Sequence, residues 1–432
     1  MFLSLAIGIT FRPAIAFGVV LLMPLIDQWA VSSSVYFVTH QSLTNILVGL
    51  LVLEGILVRS LRGELGIGNY PAVGWIVLAL FAWSALTILW SIASVESIAL
   101  WRRHLPYVLA VVIASPLLVN RFDDLRHAFG LTLALGGVLL LSVNTMREWS
   151  ARSLVLPVEV KRGSIIETDT SALALASAAA IIGLISLLAN SRGIARWSRI
   201  LSWSICVLAV ATIIRCGARG QFLAFVAVAI VTIPMSKKLR NVRGFVATGF
   251  AILVVSAAVF WGFENFETSR FERTNIFVDY QEGRLNRSRI VLEHWFEAGP
   301  SRWLLGLGTS SSYSPELLGI YPHVVPIEIL VELGIVGLSA FLAIVWQSGR
   351  NSYRAFRLAE HDPVSRGLVA IITGVTFFYL VICLKQGSLL NSPILYACVI
   401  VLGRIAGLSR SACVRGDNLQ NSALNERPPY GR

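Results

Sequence analysis

Apolar runs of about 18–23 residues recur along most of this chain, each long enough to cross a hydrocarbon core about 30 Å thick. They fall near 10–28, 40–58, 73–93, 103–119, 127–144, 170–190, 198–214, 219–235, 244–262, 325–346, 367–384 and 388–408. The runs are continuous, without the short alternating segments of a barrel. Only 14% of the 432 residues are charged, where a soluble domain carries about a quarter. The expected fold is therefore all-α: one polytopic membrane domain over 1–408, with about twelve transmembrane helices and one long extracytoplasmic loop at 263–324. The start, MFLSLAIGITFRPAIAF, lacks a basic leader and a small-residue cleavage site, so it reads as part of the first membrane element. The polar tail 409–432 reads as cytoplasmic and disordered.

The formal charge of +12 raises the question of nucleic acid. The basic residues are spread over many short connectors, however, which fits anionic lipid headgroups and topology and gives no nucleic-acid partner. With both termini cytoplasmic, the inside loops collect Arg59, Arg62, Arg121, Arg126, Lys237, Lys238, Arg350 and Arg354, while the first outside loop, DQWAVSSSVYFVTHQ, has no Lys or Arg. Two outside loops depart from this bias: one with Arg147, Arg152, Lys161 and Arg162, and the long loop at 263–324. The cysteines at 206, 216, 383, 398 and 413 have neither paired nor metal-like spacing. No cofactor or metal is implied.

A structureless stretch as long as 263–324 would be unusual in a compact fold. Within it, SRIVLEHWFEAGP predicts a short amphipathic helix ending at Gly299 and Pro300, with Ile290, His294 and Ala298 on one face. LLGLGTSSSY follows as a Gly/Ser turn that lacks the lysine and strand-to-helix setting of a nucleotide-phosphate loop.

Three groups of residues could carry chemistry. Arg215 and Arg219 lie four apart between two apolar runs, so on a continuous helix they would share a face. They either snorkel to headgroups or bind a phosphate in bidentate fashion. Arg284, Arg287 and Arg289 form a second cluster, with Glu282 and Glu293 nearby as structural partners. Arg289 opens the amphipathic helix and could meet the same diphosphate as Arg219, with Arg287 as the alternative register. His323 stands between a glycine-rich loop and a membrane helix, where an imidazole is either structural or placed to accept a proton from an attacking hydroxyl. Glu328 and Glu332 share a helix face at i, i+4 and could orient a partner or bind arginine.

In order and spacing, these features resemble the O-antigen ligase and polymerase superfamily of bacterial envelope glycan enzymes. WSIASVESIALWRRHLPYVLAVVIAS looks like its early membrane region. ARGQFLAF resembles its serine-arginine-glycine signature, with Ala218 in place of serine and Arg219 retained. RLNRSRIVLEHW followed by LLGLGTSSS is similar to its arginine-bearing outer loop and glycine turn. HVVPIEILVELGIVGL matches its histidine-to-helix pattern, with Glu332, Gly334 and Gly337 on the family's Glu-x-Gly-x-x-Gly; Val324 stands where the family often has a polar residue.

The resemblance implies metal-independent glycosyl transfer from a polyprenyl-diphosphate-linked oligosaccharide at the periplasmic face of the bacterial inner membrane. His323, Arg219 and Arg289 would be catalytic, and Arg215, Arg284, Arg287, Glu328 and Glu332 would bind substrate. A polymerase would extend one lipid-linked repeat with another, building O-antigen or exopolysaccharide. A ligase would hand the glycan to lipid A core, and either could work with polysaccharide-assembly partners. Val324 gives no positive sign of a ligase acceptor site, which favours the polymerase. The alternative outside enzymology is a lipid-linked glycan flippase or other transporter, although the paired halves common in transporters are absent.

Overall fold

The computed structural model describes residues 1–34, 36–37, 40, 42–65, 70–145, 155–160, 164–169, 172–189, 196–236 and 286–408, with isolated positions 243, 246, 249 and 250. Arg284, the first part of the long loop, nearly all of the expected span 244–262 and the tail 409–432 lie outside them.

The described chain is a bundle of helices: α1 Phe2–Phe11, α2 Ile15–Ser33, α3 Ser42–Leu61, α4 Ala72–Thr87, α5 Ser94–Leu118, α6 Phe122–Thr145, α7 Ala172–Ala189, α8 Arg196–Arg215 and α9 Arg219–Ser236. After these come α10 Asn286–Glu297, α11 Pro300–Leu305, α12 Val325–Leu358, α13 Pro363–Cys383 and α14 Pro393–Leu408. Among the described residues, eight helices are both long and apolar enough to cross a membrane, and α1 and α14 are shorter apolar helices. This is a multi-pass membrane protein. Helices α5 and α8 are long as well, but carry arginines (Arg102 and Arg103; Arg196, Arg199 and Arg215).

The expected first span at 10–28 is interrupted. Pro13 disfavours helix at the residue before it, and Arg12 takes φ −137°, ψ 85°, so α1 ends and α2 begins anew. The 144–170 connector, read as plain loop, contains an antiparallel hairpin, β1 Val155–Val160 with β2 Ser164–Asp169, in register from Val155 opposite Asp169 to Val160 opposite Ser164. Its β-branched residues favour it.

One apolar core joins α2 with α6, α7, α8, α9 and α13, and a second joins α4 and α5 with α12 and α14. The two ends of the bundle are finished differently. At one end Arg59 pairs with Asp124 at 2.6 Å, and Asp124 also accepts the backbone N–H groups of Asn120 and Arg121. There too Arg404 donates to Asn120 Oδ1 at 2.8 Å and Arg366 Nε donates to the carbonyl of Met235 at 2.6 Å.

Helix α12 dictates the other end. It runs past the apolar stretch expected at 325–346, through Arg350, Asn351 and Arg354, because a helix need not stop where its hydropathy does. It is also broken. Gly334 has φ 70°, ψ −169°, which leaves 335–358 as a segment of roughly 36 Å that spans a bilayer by itself. The preceding segment, 325–333, is thus spare length held at the bundle end. In an unbroken helix the carbonyls of Val331, Glu332 and Leu333 would accept from residues four further on. Here they accept from Leu307 N at 2.8 Å, Gly308 N at 2.9 Å and Trp83 Nε1 at 3.0 Å.

The turn after α11 therefore plugs the break. A Cβ at Gly334 would overlap the carbonyl of Leu304, and one at Gly306 would overlap that of Glu332. Beyond the plug, the buried Thr309 donates its N–H to Thr87 Oγ1 at 3.1 Å and its hydroxyl to the carbonyl of Ser84 at 2.6 Å. Its carbonyl accepts from Ser91 Oγ and Ser97 Oγ. Replacing Gly334 by Ala should cost about 3 kcal/mol or more, the sum of left-handed strain and a lost close approach. Gly349→Ala, further along α12 with open space around it, should be neutral or gain up to about 1 kcal/mol. Unfolding midpoints of the two variants in detergent check this contrast.

Candidate functional site at one end of the bundle

The end shaped by the α12 break holds most of the residues singled out from sequence. His323 lies just before α12, and its backbone is left-handed at φ 67°, a conformation that strains a side-chain-bearing residue. Its ring packs on Tyr321 with centroids 4.1 Å apart, and Tyr321 neighbours Tyr313 at 6.3 Å. Burial, then the nearby carboxyls of Glu328 and Glu332 and the Tyr321 phenol, push the Tyr313 phenol above its ordinary value. Tyr313 thus remains a neutral donor near both glutamates.

The two glutamates are buried, at 5% and 4% exposure. Glu332 accepts the backbone N–H groups of Ser310 at 2.6 Å and Ser312 at 3.4 Å, and the Ser312 hydroxyl at 2.6 Å. Ser310 is left-handed at φ 58°, so the turn forms a concavity of N–H groups suited to an anion. A carboxyl of the chain itself fills it, which explains a phosphate-loop look without a nucleotide. Glu328 accepts the N–H of Leu389 at 3.2 Å through Oε1, and its Oε2 is buried with no hydrogen-bond partner. Both glutamates thus tie loops to the first segment of α12.

Arg215 and Arg219 do not share a helix face, contrary to their i, i+4 spacing. Gly217 takes φ 62° and splits the helix, so Arg215 closes α8 and Arg219 opens α9. Arg215 donates to the carbonyl of Asn144 at 3.1 Å and to its Oδ1 at 3.0 Å, while Asn144 Nδ2 donates to Thr212 Oγ1 at 2.8 Å. That network ties the end of α6 to α8. Arg219 is half-buried at the head of α9.

Helix α10 forms where expected. Ser288 and Val291 are buried, and Leu292 and Trp295 pack beside them against Ile327 and Val331 of α12. His294 and Ala298 are exposed. The packed face follows the larger apolar side chains, and Trp295 is fixed by donating to the carbonyl of Arg302 at 3.1 Å. Arg289 points away: it is 75% exposed and pairs with Glu293 at 2.6 Å, a contact that raises its pKa. Arg287 lies half-buried beside Ser288 and, among the described residues, has no carboxylate partner.

Sequence reasoning passed over Lys385. It lies half-buried in the connector between α13 and α14, and a Cβ at Gly220 would overlap its Nζ, Cε and Cδ. The available signal was small: a lone lysine beside Gly387 in LKQGSLLNS. The tyrosine pair flanking the histidine was also passed over.

Fold and site together define a multi-pass α-helical membrane protein with a polar, cationic constellation at one end. Compared with known proteins, the chain matches no family model and no curated sequence.

The glutamate geometry predicts distinct effects. Glu332→Gln turns an amide NH2 group toward N–H or O–H donors that the carboxylate accepted, leaves them without an acceptor, and should destabilise the protein by about 2–3 kcal/mol. Arg289→Ala, on an exposed pair, should lie within about 0.5 kcal/mol of the parent. Thermal unfolding of the two purified variants measures this difference.

Proposed function

We propose that this chain is a metal-independent glycosyltransferase of the bacterial inner membrane. It polymerises polyprenyl-diphosphate-linked oligosaccharide repeats into O-antigen or exopolysaccharide at the periplasmic face, with both termini cytoplasmic. The observation that carries this reading is the asymmetry of the bundle. Arg219, Lys385, Glu328, Tyr313 and His323 gather at one end, whereas Arg59–Asp124, Arg404–Asn120 and Arg366 with the Met235 carbonyl knit the other. A transporter has to open to both sides. A transferase acting on a donor already moved across the membrane needs one polar end only.

In this reading Arg219 and Arg287 hold the diphosphate. Arg287 is preferred to Arg289 because it lies on the side of α10 turned toward α12. His323 accepts the proton of the acceptor sugar hydroxyl. That oxygen attacks the anomeric carbon, the bond from this carbon to the diphosphate oxygen breaks, and the electron pair leaves on the diphosphate. The arginines stabilise the charge that develops there. Displacement in one step inverts the anomeric centre, and a covalent glycosyl-enzyme would overturn that.

The test is product formation in metal-free proteoliposomes from an isotope-labelled lipid-linked repeat, with and without lipid A core. Longer lipid-linked chains made without core support a polymerase. Transfer only to core identifies a ligase, and leaflet-to-leaflet movement of intact donor without product identifies a transporter. His323→Ala and Arg219→Ala should each lower kcat by about 100-fold or more. Arg287→Ala should cost more activity than Arg289→Ala.

A further inference from the structure

The surface around α11 is apolar and exposed, and α12 shows what covers it. Past the Gly334 break, α12 exposes Ile335, Leu342 and Trp346, whose spacing of i, i+7 and i+11 puts them on one stripe. Arg350, Arg354 and Arg357 follow toward the end of the helix and mark where it leaves the hydrocarbon. Counted back from Arg354 at about 1.5 Å per residue, a hydrocarbon core about 30 Å thick ends at Gly334 and Ile335.

Helix α11 lies at that level. The carbonyl of Leu304 comes so close to Gly334 that a Cβ there would overlap it. Leu304 is 51% exposed, and Ile335, the residue after the break, is 47% exposed. Next to Leu304, the ring of Trp303 stacks on that of Phe296, with centroids 5.1 Å apart and planes 22° from parallel. The Trp303 indole donates to the carbonyl of Phe296 at 2.8 Å, so its one polar group is already satisfied within the pair.

Stacking and hydrogen bond together make a stiff aromatic plate, yet Phe296 is 64% exposed. Packing on the opposite side imposes this: Val291, Leu292 and Trp295 hold α10 to Ile327 and Val331 of α12. The outward face of α10 also changes along its length, with Arg289 and Glu293 exposed first and Phe296 after them, and Glu297 on the neighbouring stripe. The apolar part is therefore the end that meets α11 and the break. Its continuity with the stripe that begins at Ile335 identifies the partner as lipid. Aromatic rings, an indole above all, favour the boundary between headgroups and acyl chains.

We infer that Phe296, Trp303 and Leu304 insert into the headgroup–acyl boundary of the bilayer, so that α10 and α11 rest on the membrane and hold the plugged break at its surface. This holds whatever reaction the end of the bundle performs.

The experiment uses the full chain carrying fluorinated tryptophan in nanodiscs and reads the fluorine resonances, with Trp303→Phe assigning the signal of Trp303. Nitroxide is supplied in three ways: on lipid acyl chains close to the headgroup, on acyl chains near their ends, and as a water-soluble reagent. The shallow lipid nitroxide should broaden Trp303 most and the soluble reagent least. Trp346, on the exposed stripe, should respond to lipid nitroxide, and the buried Trp101 should respond least of the three tryptophans. Phe296→Asp, which removes the stacking partner and adds a charge, should take away most of the lipid broadening of Trp303.

Broadening of Trp303 in the parent chiefly by the soluble reagent would overturn the inference, because the plate would then face water. Insensitivity to all three while Trp346 responds would overturn it as well, since protein would cover the plate. A stronger response to the deep nitroxide than to the shallow one would move the plate into the hydrocarbon and overturn the boundary assignment.

Discussion

The carbonyls freed at the α12 break set the terms for everything around them. An unsatisfied peptide carbonyl in an apolar surrounding costs several kcal/mol, so a helix broken among buried side chains needs substitute donors. The chain supplies three: the N–H groups of Leu307 and Gly308 and the indole of Trp83. Supplying them brings the 306–312 turn against α4, α5 and α12, and Thr309 locks it there through the Ser84, Thr87, Ser91 and Ser97 hydroxyls. Helix α10 in turn rests on Leu307 and Val331. The arginines of α10, the glutamates of α12 and the histidine before it take their positions from one interrupted helix.

Most of the membrane elements were legible in the sequence, because hydropathy reports the medium a segment lies in. Places where direction changes were less so. Arg215 and Arg219 look like helix neighbours, and only the left-handed Gly217 separates them. The side of α10 that packs on α12, with Val291, Leu292 and Trp295, was not singled out, because Ile290, His294 and Ala298 satisfy a helical period equally well. The hairpin at 155–169 was missed because its residues were counted only as polar connector.

The Glu-x-Gly-x-x-Gly pattern was read for its resemblance, and the fold gives its members physical work. Glu332 fills the Ser310–Ser312 concavity, Gly334 makes the break, and a Cβ at Gly337 would overlap that of Leu333. Lys385 shows the opposite case. A single lysine in a short connector carries no periodicity, spacing or composition, and its meaning comes only from the α9 turn it covers, which lies more than a hundred positions earlier in the chain.

The two ends of the bundle differ in how their polar groups are held. At one end side chains tie the helices together: Arg59 pairs with Asp124, Arg404 donates to Asn120, and Asp362 caps α13 by accepting the N–H groups of Val364 and Ser365, while Arg59 Nε and Arg404 Nε are buried without a hydrogen-bond partner. At the other end His323 is strained, and Glu328 Oε2 and Gln221 are buried without partners. Folding by itself gains nothing from such features, since buried unpartnered polar groups destabilise. They persist because the plugged break and the clamped connector over-determine the backbone around them. Strain of this kind lasts only where rigid neighbours hold it in place. The two ends thus differ in kind: one is knitted by side-chain pairs between helices, and the other is built around an interrupted helix and the turn that plugs it.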